Sequence, residues 1–140
     1  MRFFIAILLF LSFCVPSFAE FNSQEEFSSW LMFYYQNPTP SKIPSAVEYM
    51  SSSGILDNQN AVSPIFGFLS GVFSSNPDLI ESWVGQFNSM HESHLGVVVL
   101  GLWYSDLPKA KELTYSIINK HQNLKEQFAY LDKGLSLIHI

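Results

Sequence analysis

Cysteine and arginine are almost absent from this 140-residue chain. The single cysteine is Cys14 and the single arginine is Arg2. Both lie in a leader-like stretch at the N-terminus, so whatever follows it has no disulfide, no thiolate nucleophile and no thiolate metal ligand. It also lacks the guanidinium fork that grips phosphate or carboxylate in two places. Charge is sparse, at 14% of residues, and it is lopsided. The net charge is −5, and loss of Arg2 takes it to −6. An acidic chain without arginine has no electrostatic footprint for nucleic acid. Long apolar runs are missing too: residues 3–15 are uncharged, but a membrane span needs about 20. What remains is 48% hydrophobic and 16% aromatic, with 13 phenylalanines. That composition argues for a packed core and against disorder.

The N-terminus has the organisation of a secretory signal. Arg2 supplies the positive start, residues 3–15 the apolar stretch and Pro16 the break, while Ser17 and Ala19 put small side chains at −3 and −1. Residues 1–19 are therefore expected to be a signal peptide cleaved after Ala19, with an uncleaved anchor as the alternative. A lipoprotein signal is ruled out by Phe13, because the position before the lipidated cysteine needs a small residue. At the other end, residues 135–140 continue no upstream pattern. Their sequence, Leu-Ser-Leu-Ile-His-Ile, resembles the translation of a transposase adapter used in sequencing libraries. A non-native tail is expected there, with the natural chain continuing beyond Gly134; the alternative is a genuine apolar C-terminal strand or helix end.

Between these ends, residues 20–134 read as one all-helical domain. Ser23 with Glu26 forms a capping-box pattern, followed by Phe27, Trp30, Leu31 and Tyr34 on one stripe. Asn37-Pro38 ends that helix. A second helix runs over 41–52, with Pro44 confined to its first turn and Gly54 as its C-terminal stop. A third is expected from Ala61 or Pro64 to Ser75, with Ser63-Pro64 as cap and first residue. Its Gly67-x-x-x-Gly71 strip predicts close approach of a neighbouring helix. Asn76-Pro77-Asp78 starts a fourth, with Ile80, Trp83, Val84 and Phe87 inward. A fifth, over 93–104, is apolar all round and should be the most buried. Asp106 caps a sixth that reaches Lys120, and Asn123 opens a seventh that ends at Gly134. Short connections predict antiparallel hairpins stacked as a short α-solenoid or irregular bundle of about seven helices.

Three segments share an aromatic helix end, a polar pair and a proline-marked start: residues 33–38, 72–77 and 103–108. On these residues the chain resembles helical-repeat proteins of the tetratricopeptide or HEAT kind, and uncharacterised exported bacterial proteins with a Phe-x-x-Asn-Pro turn. The tetratricopeptide signature itself cannot be laid on the sequence. The resemblance implies an architecture and a bias toward binding proteins or peptides, with no functional residues carried over.

Chemistry-bearing residues are few. His91 and His94, spaced i and i+3, could share a helix face with His121 as a third ligand, but His-Glu-x-x-His is absent. No Gly-x-Ser-x-Gly elbow occurs, so a hydrolytic triad would need Ser, His and Asp gathered by the fold. The acidic pairs fall in first helical turns, where the helix dipole explains them. Phe33, Tyr35 and Tyr104 lie off the inward stripes and are candidates for an exposed partner-binding patch. The expectation is a periplasmic or secreted helical module for a protein or peptide partner. It would need no cofactor, bind no nucleic acid and remain uninserted in the membrane after cleavage. The alternative is a small exported metal-binding protein or hydrolase built on His91, His94 and His121.

Overall fold

In the computed structural model, residues 21–131 are described, the side chain of Asn88 excepted. The expected signal peptide and the suspected tail with Gly134 fall outside them. Helix α1 (Gln24–Phe33) starts where the sequence places it. The Ser23 hydroxyl accepts from the Glu26 amide at 3.1 Å. The return bond is shifted by one residue: the Glu26 carboxylate accepts from the Asn22 backbone N–H at 3.0 Å and its side-chain amide at 3.2 Å. These bonds hold the Glu26 pKa below its ordinary value.

A 3-10 turn (Pro40–Lys42) leads into α2 (Ile43–Ser52), with Pro44 in the first turn, where its missing N–H costs nothing. Gly54 stops α2 at φ +82, a conformation that side chains with a Cβ adopt poorly. A second 3-10 turn (Ile55–Asp57) precedes α3 (Gln59–Ser75). Then come α4 (Ile80–Gln86), α5 (Glu92–Tyr104), α6 (Pro108–Lys120) and α7 (Gln122–Gln127). The protein is all-helical: among the described residues no strand occurs, and no helix is long and apolar enough to cross a membrane.

Helix α7 opens at Gln122 and closes at Gln127, short of its expected end, and the starts of α3, α4 and α6 differ from expectation, each for a local reason. Helix α3 begins earlier than Ser63-Pro64, because the Asn58 carboxamide oxygen accepts from the Asn60 amide at 3.0 Å and caps it there. Pro64 is then inside the helix. It and Asn60 are exposed, so the carbonyl that loses its donor faces solvent. Asn76 does not start α4; its amide donates to the Val72 carbonyl at 2.8 Å and closes α3 instead. Asp106 does not cap α6 either. It sits at φ +57, ending α5 in the left-handed conformation that aspartate tolerates, and its carboxylate pairs with Lys111 at 2.9 Å.

Helices α3 and α5 make the most extensive packing, although α4 separates them in sequence. They run in the same direction. Ser74 donates to the Ser105 carbonyl at 2.7 Å at their C-terminal ends, while His94 of α5 meets Asp57, just ahead of α3, at the other. The residue that lets them close is Gly101. A Cβ there would lie 2.9 Å from the Leu69 Cβ and 3.1 Å from the Phe73 ring. The Gly67-x-x-x-Gly71 strip does not serve this purpose: Gly67 faces open space and Gly71 lies under the Tyr35 hydroxyl. Helix α5 is, as expected, the most enclosed element, with every residue of 94–102 buried except half-buried Leu100. Helix α6 packs on α5, α7 on α6, and α4 against α2 and α6. One connected core runs from Phe21 to Leu131.

Candidate functional site

Helix α3 is unusual in its chemistry. Residues 58–77 contain no charged side chain. Its inner face, Ile65, Leu69, Val72 and Phe73, is buried. Opposite lies a ridge of small residues, Ser63, Gly67 and Ser74 exposed and Ser70 and Gly71 half-buried. Phe66 and Phe68 flank this ridge, because residues two apart on a helix point roughly 200° from each other.

Each flank carries one of the tyrosines picked out in the sequence. Tyr35 packs edge-on against Phe68, centroids 5.9 Å apart, and against Tyr34 at 5.6 Å. Its hydroxyl donates to the Phe68 carbonyl at 3.3 Å. On the other side Tyr104 stacks on Phe66, centroids 5.6 Å apart and planes within 24°. Tyr35 and Tyr104 remain 61% and 60% exposed, so each ring is held along one side and open on the other. Burial raises the Tyr35 pKa above the usual phenol value, which keeps the hydroxyl neutral. The result is an uncharged trough, that is, a strip of serine and glycine bordered by aromatic rings on both flanks, with the Tyr35 hydroxyl lying over Gly71. Phe33 and Met32 project from the last turn of α1, both exposed, but among the described residues Phe33 makes no ring contact with either tyrosine. Phe66 and Phe68 are the functional candidates that stripe-reading misses. The signal for them is the pair of phenylalanines bracketing Gly67, which marks both edges of an outward strip.

His91, His94 and His121 each have separate protein partners. His91 Nδ1 bonds the Ser93 hydroxyl at 2.9 Å, and His121 Nδ1 lies 3.7 Å from Glu92. The His91 and His94 rings are 5.7 Å apart. Among the described residues no group of three or more His, Cys, Asp or Glu is placed to hold a metal ion. Both nitrogens of His94 are occupied by protein: Nδ1 by the Ser51 hydroxyl and Nε2 by Asp57 Oδ1, each at 2.9 Å.

The fold thus gathers a serine, a histidine and an aspartate into one hydrogen-bonded chain, which the sequence could not reveal. Its setting is that of a latch. Asp57 is 71% exposed, so solvent screens the charge that would have to stabilise an imidazolium. Ser51 lies in the last turn of α2, at the negative end of the helix dipole, which disfavours a developing oxyanion. The chain ties the end of α2 and the turn before α3 to the first turn of α5. Against known proteins, the chain matches no family model, no curated protein and no solved structure.

Proposed function

We propose that this is an exported helical binding module, periplasmic or secreted, whose α3 trough takes an apolar stretch of a protein or peptide partner. The observation that carries the reading is the pair of half-open tyrosine rings, each fixed on a phenylalanine of one uncharged helix. Rings already held in place lose little freedom on binding, and tyrosine anchors are over-represented among residues that dominate interfaces. Neutral walls and a floor without large side chains favour an apolar segment laid along α3 over an acidic or basic one. Parallel stacking of α3 on α5 across α4 also suits a module built from successive hairpins, in which each hairpin's first helix lies on the next one's first helix.

The test is capture from envelope extract with the processed protein. Wild type should retain a defined partner. The Tyr35→Ala/Tyr104→Ala double variant should lose it by about tenfold or more, with an unchanged helical spectrum. Lys120→Ala, remote from the trough, should retain it. Equal capture by the double variant would remove the trough from the account.

A further inference from the structure

A second concavity lies apart from the trough, between α1, the end of α2 and the start of α3. It has a volume of about 550 Å³, within the range of small-molecule sites. Its walls are Phe27, Leu31, Tyr49, Ile55, Ala61 and Ile65. Buried Phe27 backs the half-buried Tyr49 ring, centroids 5.0 Å apart and planes within 31°. None of its lining residues is charged. The polar ones are neutral, and three of them, Gln24, Ser28 and Ser53, make no side-chain hydrogen bond to another described residue. Apolar walls with a few uncommitted neutral polar groups at the edge are how ligand sites provide affinity and then orientation.

We infer that this cleft binds an uncharged amphiphile: an apolar chain or ring system seated on Leu31, Tyr49 and Ile55, with a neutral hydroxyl or amide head at Gln24, Ser28 and Ser53. Charge selects this class. A carboxylate or phosphate head would meet no cation in the lining and would lose its hydration without replacement. Asp57, whose Oδ2 lies 3.5 Å from where a Cβ on Gly54 would stand, puts an acid beside the lining and would repel an anion further. Asp57 is already paired with His94 Nε2 and so makes no dedicated seat for a cation. The cleft shares no lining residue with the trough, so this inference stands or falls independently of the proposed partner.

The experiment uses the processed protein and the neutral fluorophore N-phenylnaphthylamine. Saturable fluorescence enhancement is expected, reversed by monolauroylglycerol. Laurate, with the same chain and an anionic head, should displace the probe about tenfold less well, reflecting its unpaired charge. Ala61→Trp fills the cleft and should weaken probe binding about tenfold or more, by the cost of forcing volume into an occupied space. The Ser28→Ala/Ser53→Ala variant changes only the edge and leaves the fold's core untouched. It should bind the probe as wild type does, yet be displaced several-fold less well by monolauroylglycerol, a change on the scale of about one hydrogen bond. Undiminished probe binding by Ala61→Trp, equal displacement by laurate, or unaltered displacement from the double serine variant would each overturn the assignment.

Discussion

The His94 imidazole lies 8% exposed in the first turn of α5, with a hydrogen bond at each ring nitrogen. With the proton on Nε2, the ring donates to Asp57 and accepts from Ser51. The consequence is mechanical, since one side chain ties α5 to the end of α2 and the turn just after it. His94→Ala removes both bonds and leaves a void beside the end of α2. A loss of about 2 kcal/mol is expected, the sum of hydrogen-bond and packing terms for a site at the edge of a core. Urea unfolding should show it as a lower midpoint with an unchanged slope. No change in midpoint would mean that the two bonds do not hold α5 to α2. Residue identity alone could suggest none of this. His94 and Ser51 are 43 positions apart, and His94 and Asp57 are 37 apart. A histidine pair in one turn draws attention to metal, whereas here the partner of each ring is a nearby oxygen.

At the scale of the element, glycine positions separate what periodicity reveals from what it hides. Apolar residues every three or four positions identified the buried faces of α1 and α4, because burial of a stripe is what makes a helix fold. They said less about which helices meet. Gly67 and Gly71 have the familiar small-residue spacing, yet the close contact falls at Gly101, in a segment so uniformly apolar that no face stood out. Helix starts were read less well for a related reason. Asparagine, serine and aspartate can each serve the helix before them, the helix after them or the turn between. Asn58, Asn76 and Asp106 resolve that choice by local hydrogen bonds and backbone geometry. The two glycine types predict opposite effects. Gly101→Ala should destabilise by about 1–3 kcal/mol, because the new methyl meets Leu69 and Phe73 inside a packed interface. Gly67→Ala meets nothing within 4 Å and should stabilise α3 by about 0.5–1 kcal/mol through the unfolded chain's lost freedom. Thermal unfolding of the two variants should move in opposite directions, and a destabilised Gly67→Ala would show that this strip is covered.

For the molecule as a whole, the surface features were the least legible. That Phe33, Tyr35 and Tyr104 are exposed follows from their places off the stripes. That Tyr35 and Tyr104 share α3 as a common support depends on how α1 and α5 dock, which no local pattern encodes. The docking is uneven, and this sets where the molecule opens. Helix α5 is enclosed on nearly all sides, whereas α1 is attached mainly through rings: Phe27 on Tyr49, and Trp30 and Tyr34 on Phe68. Trp30 adds a bond from its indole N–H to Thr39 Oγ1 at 2.7 Å. Within that attachment the Tyr34 hydroxyl is a defect. The residue is 3% exposed and its oxygen has no hydrogen-bond partner among the described residues. Desolvation, with a smaller contribution from neighbouring Tyr35, raises its pKa and so leaves the phenol neutral but unpaired. An unpaired buried hydroxyl costs about 1 kcal/mol or more. Amide exchange should therefore be faster in α1 than in α3 and α5, through opening that leaves the rest folded. Tyr34→Phe deletes the hydroxyl and keeps the ring contacts. It should slow exchange in α1 by about fivefold, the equivalent of that energy, and by the same factor in the slowest amides of α5, because global unfolding also releases the hydroxyl. Amides of α1 that exchange no faster than the slowest amides of α5 would show that α1 opens only with the whole molecule. Unaltered exchange in α1 would show that the hydroxyl finds a partner in solution.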